Sequence, residues 1–322
     1  MSKKILLTLL FITAFFANTC VSAEKTKTSK VNVGIYIENI NSISYSKNTS
    51  QIDFTVWFRW SDKQIHPNKT FKLKNARIDQ RKVVFSGEVN NSKDHLEIID
   101  ISATFNQHWN IQDFPFDTQE LKIQIEDDAD DPYEQIIYVV DTKNIKPIKN
   151  KDITAWMVRS EKTFISATVL DSNYGNPDLL KSDRFTPQFN HIIEVEKKSE
   201  LIGFKLLLAP IVAILLMAFV VLLPALESPR MGVPGTALFI LVSSNFIVLN
   251  QLPESDGYSF AEKLISFGII QSLIHLVVTV ISIKYEKEGN SKVSIHIDHV
   301  LFVTVSIANI IFGFYTAYII SL

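Results

Sequence analysis

The sequence predicts an N-terminal all-β extracellular sandwich followed by an all-α transmembrane domain of four helices. Three observations carry that expectation. Residues 24–199 are charge-rich, with many short β-branched and aromatic runs separated by polar turns. Residues 200–322 are dominated by Leu, Ile, Val and Phe in four long runs. The first 23 residues have the layout of a secretory signal peptide.

In that leader, Lys3 and Lys4 supply the positive start, Ile5 to Phe16 the apolar stretch, and Val21-Ser22-Ala23 a small-residue cleavage site. The apolar stretch is short for a bilayer span. Cys20 is the single cysteine, and cleavage after Ala23 leaves a mature chain with no thiol. Disulfides, thiolate zinc sites and cysteine nucleophiles are then excluded. A formal charge of −2, with no basic stripe interleaved with aromatics, argues against nucleic acid as a partner. No Ser/His/Asp spacing, metal-ligand cluster or Gly-rich phosphate loop points to an enzyme, and no cofactor is expected.

Strand chemistry recurs along the outer half at Val31–Ile37, Ile52–Trp60, Leu96–Phe105, Leu121–Ile125, Ile136–Val140, Phe164–Leu170 and Phe189–Val195. Polar connections such as Ser46–Ser50, Asn90–Asp94 and Gly175–Ser182 separate the runs. Many short strands with polar turns and no helical periodicity between them indicate a sandwich or barrel.

The apolar part divides into helices at about 201–223, 231–252, 260–283 and 299–322. Each is long enough for a hydrocarbon core of roughly 30 Å. Lys205 can snorkel outward, and Pro210 is tolerable where neighbouring helices satisfy the freed carbonyl. Secretion places the β half outside. The inner connections then carry Arg230, Lys284, Lys287 and Lys292, while the outer one carries Glu254 and Asp256. This charge bias predicts a multi-pass protein of the inner (plasma) membrane, with its N-terminal domain and C-terminus on the periplasmic or extracellular side.

Phe114-Pro115-Phe116-Asp117-Thr118-Gln119 matches the Phe-Pro-Phe-Asp-x-Gln core of the signature loop of pentameric ligand-gated ion channels, the Cys-loop receptor superfamily. Trp60-Ser61-Asp62 resembles the Trp-Thr-Asp that ends an early strand of that family. Pro210 matches the proline of its first helix, and Leu252-Pro253 the turn after its second. Taken in order, with the leader and four spans, these motifs make the chain similar to the bacterial, cysteine-free members. Gln107 and Leu121 stand where animal members place the disulfide. No Trp-x-Pro-Asp motif occurs between Ile65 and Val84, a departure that bears on the ligand-binding architecture.

The resemblance implies a homopentameric channel in a lipid bilayer, opened by a small-molecule agonist or protons and passing ions through a pore lined by the second helix. At 100° per residue, Gly232, Thr236, Phe239, Ser243, Phe246 and Asn250 fall within an arc of about 80°. Five copies would stack polar rings between phenylalanine rings that can close the path by dewetting. Close helix packing is the other use for the small residues. Glu227 and Arg230 occupy the region that sets selectivity. A ring of Glu227 attracts cations, whereas Arg230 either repels them or turns away to neutralise local carboxylates. Cations are the expected permeant ions.

By the same resemblance, Phe114, Pro115, Phe116 and Asp117 couple the outer domain to the turn at Pro253. Lys198 stands where an arginine often pairs with the aspartate. The agonist site implied between subunits draws on Trp57, Tyr133, Tyr174 and Phe185, and an aromatic cage of that kind favours an amine. The acidic run holding Asp127, Asp128, Asp130 and Asp131 is either a solvated turn or a divalent-cation site. His275 is either a packing residue of the third helix or a reporter of pH. A non-conducting membrane sensor or scaffold with the same fold is the alternative function.

Overall fold

The computed structural model describes residues 27–89, 93–127, 134–148, 152–153, 156–169, 185–198, 200–227, 229–253 and 257–321. The leader with Cys20 lies outside them.

Residues up to Lys197 form two five-stranded sheets. The first has the order β4-β5-β2-β1-β7, with β1 Lys27–Ser44, β2 Thr49–Trp60, β4 Ala76–Glu88, β5 His95–Asn106 and β7 Glu134–Val140. The second runs β3-β6-β10-β9-β8, with β3 Phe71–Leu73, β6 Thr118–Asp127, β8 Asp152–Ile153, β9 Trp156–Val169 and β10 Phe185–Lys197. β1 and β7 pair in parallel, and the other described pairings are antiparallel.

Alternation explains how the sheets are held. β2 turns Ile52, Phe54, Val56, Phe58 and Trp60 inward and Gln51, Asp53, Thr55, Trp57 and Arg59 outward. β6 and β10 do the same with Leu121, Ile123, Ile125, Phe189, Ile193 and Val195, and all of these belong to one apolar cluster with the first sheet. That burial is the principal favourable term in folding this half.

Three strands escape the sequence pattern. β3 and β8 are very short, and β4 is an edge strand exposed along nearly its whole length, so it carries no alternation to read.

Four helices follow: α1 Glu200–Val220, α2 Pro229–Leu249, α3 Phe260–Lys287 and α4 Ser291–Ser321. All four are long and apolar enough to cross a membrane. α1 gives way to turns at Leu222 and Leu223 ahead of Pro224, earlier than the apolar run ends. α2 begins at Pro229, where a missing N–H costs nothing, and keeps Pro234 inside. α4 begins well before the expected 299, because the reversal after α3 is confined to the tight turn at Gly289 (φ 80) and Asn290. Lys292 and His296 therefore ride on a helix and not in a loop.

Candidate functional site

The Phe114 loop is a joint between the two halves. Its base is tied by Gln107, whose amide N–H donates to the Asn48 carbonyl at 2.7 Å and whose Nε2 donates to Ser50 Oγ at 3.0 Å. Leu121 is fully buried in the β core. At the tip, the carbonyls of Gln112 and Phe114 accept from the amides of Phe260 (2.8 Å) and Ala261 (3.1 Å). Those amides open α3 and have no acceptor inside it, so the loop caps the helix. Ser259 and Glu262 complete the start as a capping box. The Phe116 ring lies 6.1 Å from that of Phe260. A Cβ on Gly203 of α1 would stand 2.9 Å from Phe116 and 3.0 Å from Pro115. The loop thus touches the first turns of α1 and α3. Pro253, half-buried after α2, precedes α3 by a short connection that lies partly outside the described residues.

Asp117 is buried at the centre of this joint. Its Oδ2 accepts from the Tyr45 hydroxyl and from Gln119 Nε2. Burial, reinforced by the Asp117 carboxylate, keeps the Tyr45 hydroxyl protonated far above its ordinary range. Lys197, one residue before the expected Lys198, is a cation that feels the Asp117 carboxylate. Its Nζ stands 4.2 Å from the Phe114 ring centroid, 5.5 Å from Tyr45 and 5.9 Å from Trp156. Burial pushes the Lys197 ammonium down in pKa, and Asp117 opposes that shift. Lys198 is exposed at the end of the strand. Alternation accounts for the assignment, since neighbouring residues of β10 face opposite ways. Tyr45 and Lys197 carry no motif that marks them in the sequence.

On α2, Arg230, Pro234, Ala237, Leu241, Ser244 and Val248 are buried against the other helices. Gly232, Thr236, Phe239, Phe246 and Asn250 are exposed and Ser243 is half-exposed; Phe239 is 72% accessible and Phe246 64%. The two groups lie about 160° apart around the helix. The expected stripe therefore points away from the subunit's own bundle. A cleft of about 220 Å³ between α1 and α2 reaches this face at Gly232 and Thr236.

Glu227 and Arg230 part company. Glu227 is exposed before α2, whereas Arg230 is 1% accessible. Its guanidinium donates to the Leu223 carbonyl (2.9 Å), to Ser282 Oγ (3.3 Å) and to Asp298 on α4. Of the two orientations open to Arg230, it adopts the one that neutralises a local carboxylate.

Of the four aromatics expected around an agonist, Trp57 and Phe185 lie among the described residues. Trp57 is half-buried, packs closely against Gly34 and donates its Nε1–H to Asp141 at 3.0 Å. Phe185 opens β10. Tyr133 and Tyr174 lie outside the described residues. So do Asp128, Asp130 and Asp131, while Asp127 ends β6 and accepts from the Thr70 hydroxyl. Among the described residues no three His, Cys, Asp or Glu side chains gather as metal ligands. His275 is buried, with Nδ1 2.9 Å from the Gln271 carbonyl one turn earlier.

No protein-family model matches the chain, and no curated protein matches it significantly.

Proposed function

We propose that the chain is a subunit of a pentameric ligand-gated ion channel of the Cys-loop receptor type. Its β half forms a sandwich outside the inner membrane, and α1–α4 span that membrane with both termini outward. The observation that carries this reading is the outward face of α2. A single subunit directs Thr236, Ser243 and Asn250 away from its own helices; the Thr236 hydroxyl donates back to the Gly232 carbonyl at 3.0 Å, but hydrocarbon offers the Asn250 side-chain amide no hydrogen-bond partner. Five copies around one axis turn that face onto a shared aqueous path. Phe239 and Phe246 then form the apolar rings at which the resting path loses its water.

The joint at Asp117 supports transmission between the halves. The loop that caps α3 also holds the end of β10, and β10 leads directly into α1. Movement of the outer domain by a small agonist or by protons therefore reaches two helices at once. With Arg230 sealed against Asp298, the exposed charge before α2 is Glu227, which favours cations.

Native mass measurement of the purified protein in mild detergent tests the assembly, and the expected species is a pentamer. A predominant monomer or dimer that binds lipid normally would overturn the channel reading.

A further inference from the structure

The buried face of α3 changes character halfway along. Near the β half it consists of Phe260, Ala261, Leu264, Ile265 and Gly268. Packing there is tight, since a Cβ on Gly268 would stand 2.8 Å from Leu241 and 2.9 Å from Ile214. Beyond Gly268 the buried residues are Gln271, Ser272, His275, Thr279 and Ser282, and every one is polar.

Two of these five reach partners on neighbouring helices. Ser272 donates to the Pro234 carbonyl of α2 at 2.7 Å, and Ser282 meets Ser294 at 2.9 Å and accepts from Arg230. The other three, Gln271, His275 and Thr279, recur at a spacing of four and so stack along one side of the helix. Gln271 Nε2 and Oε1, His275 Nε2 and Thr279 Oγ1 are all buried with no protein partner. Each of the three residues is at least nine-tenths buried.

Hydrogen-bond logic identifies what these atoms take. The 2.9 Å contact of His275 Nδ1 with the Gln271 carbonyl requires an N–H at Nδ1. In the neutral ring Nε2 is then an acceptor, and its partner must be a donor. The Gln271 amide needs both an acceptor for its N–H groups and a donor for its oxygen. Lipid tails supply neither, and a buried amide or hydroxyl left unpaired keeps its full desolvation penalty. A molecule that donates and accepts from one small atom fits all four positions, and such molecules satisfy buried polar groups throughout proteins.

We infer that Gln271, His275 and Thr279 bind a short file of water molecules inside the helix bundle of each subunit, separate from the face proposed to line the pore. The file runs along α3 toward Ser282, a span of about 16 Å at 1.5 Å per residue. There it meets the Arg230–Asp298 pair, so polar contact extends from mid-bundle to the end of the helices remote from the β half. This site does not depend on the chain conducting ions.

Water-edited solid-state NMR of the full-length protein in lipid bilayers tests it. Polarisation moves from mobile water to nearby nuclei, and the His275 ring is assigned by its loss in His275→Asn. The expected result is rapid transfer to the His275 ring and the Gln271 side-chain amide, with Gly268 on the same helix remaining slow. Slow transfer at His275, equal to that at Gly268, overturns the proposal. In the double variant Gln271→Leu, Thr279→Val, transfer to His275 should be lost. Undiminished transfer there would show that other groups hold the water. If the variant fails to fold, the wild-type comparison of His275 with Gly268 still decides.

Discussion

In the β half, β2 turns its Ile, Phe and Val inward and its Gln, Asp and Arg outward; in the helical half the preference is inverted. Phe219, Leu222, Phe239, Phe246 and Phe314 are among its most exposed side chains, while Arg230, Gln271, His275 and Thr279 are buried. One chain thus obeys two solvents. Water rewards the burial of apolar surface, whereas hydrocarbon is indifferent to it and penalises any polar group left without a partner. The β half is accordingly held by an apolar core, and the helical half by small-residue contacts and a few buried polar contacts that are hard to replace.

The contrast is sharpest where the same chemistry occurs in both regions. Arg230 and Asp298 form a buried pair, and Arg159 and Glu196, on the second sheet, one whose arginine is exposed. Arg230→Ala leaves Asp298 uncompensated and should destabilise the protein by about 3–5 kcal/mol. Arg159→Ala should change stability by no more than about 1 kcal/mol. Thermal unfolding of both variants in one detergent measures the difference. Similar losses at the two sites would remove the distinction between the regions.

Acid probes the β half through His191. Burial holds the His191 imidazole at a pKa of about 4, below its ordinary 6.5. The unfolded chain takes up that proton first, so stability is full above about pH 6.5 and declines as the pH falls toward 4. At most about 3 kcal/mol is at stake, reduced by the Glu161 carboxylate, 3.7 Å away, that receives a charged ring. His191→Gln should flatten the decline between pH 6.5 and 4 in unfolding titrations. A variant with an unchanged slope would assign the acid sensitivity to other groups.

Packing offers a matched pair of glycines. A Cβ on Gly34 would lie 2.2 Å from the Trp57 ring, and one on Gly268 would lie 2.8 Å from Leu241. Gly34→Ala and Gly268→Ala should each destabilise by about 1–3 kcal/mol through overpacking. Gly34→Ala should be the worse, because an indole pinned to Asp141 yields less readily than a leucine methyl. Equal melting temperatures for the two would contradict that ranking.

At the joint, stability and transmission should separate. Lys197→Met keeps the aliphatic stem but removes a cation–π contact, a stability change of about 1 kcal/mol. Activation should suffer more than folding, with Lys197→Arg retaining part of the response and Lys198→Met little altered. Agonist or proton dose–response curves in the three variants provide the check. A stronger effect at Lys198 would move the coupling contact there.

Much of this organisation was legible in the sequence because it is periodic. Alternation marked β2, β5 and β10, and apolar length marked all four helices. β4 was hidden because both its faces meet solvent. The start of α4 was hidden because a polar first turn and a three-residue reversal look like loop. Periodicity also sorted α2 into faces, but it could not say which way Arg230 would turn, since that depends on Asp298 across the bundle. In the same way a family register pointed to Lys198, while the pleat of β10 delivers its neighbour Lys197 to the aromatic rings. Gln271 and Thr279 gave no local signal, because unpaired burial is a property of packing.

If α2 is the pore helix, one of its faces lines an aqueous path and the opposite face does not. Ser243 and Ser244 divide those faces at adjacent positions, the first half-exposed and the second buried. In a Cys20→Ser background, Ser243→Cys and Ser244→Cys can be compared in planar bilayers under a charged thiol reagent. The reagent should block current through Ser243→Cys and leave Ser244→Cys unaffected. Block at Ser244→Cys alone, or no current from well-folded protein across pH and a panel of small amines, would contradict that prediction.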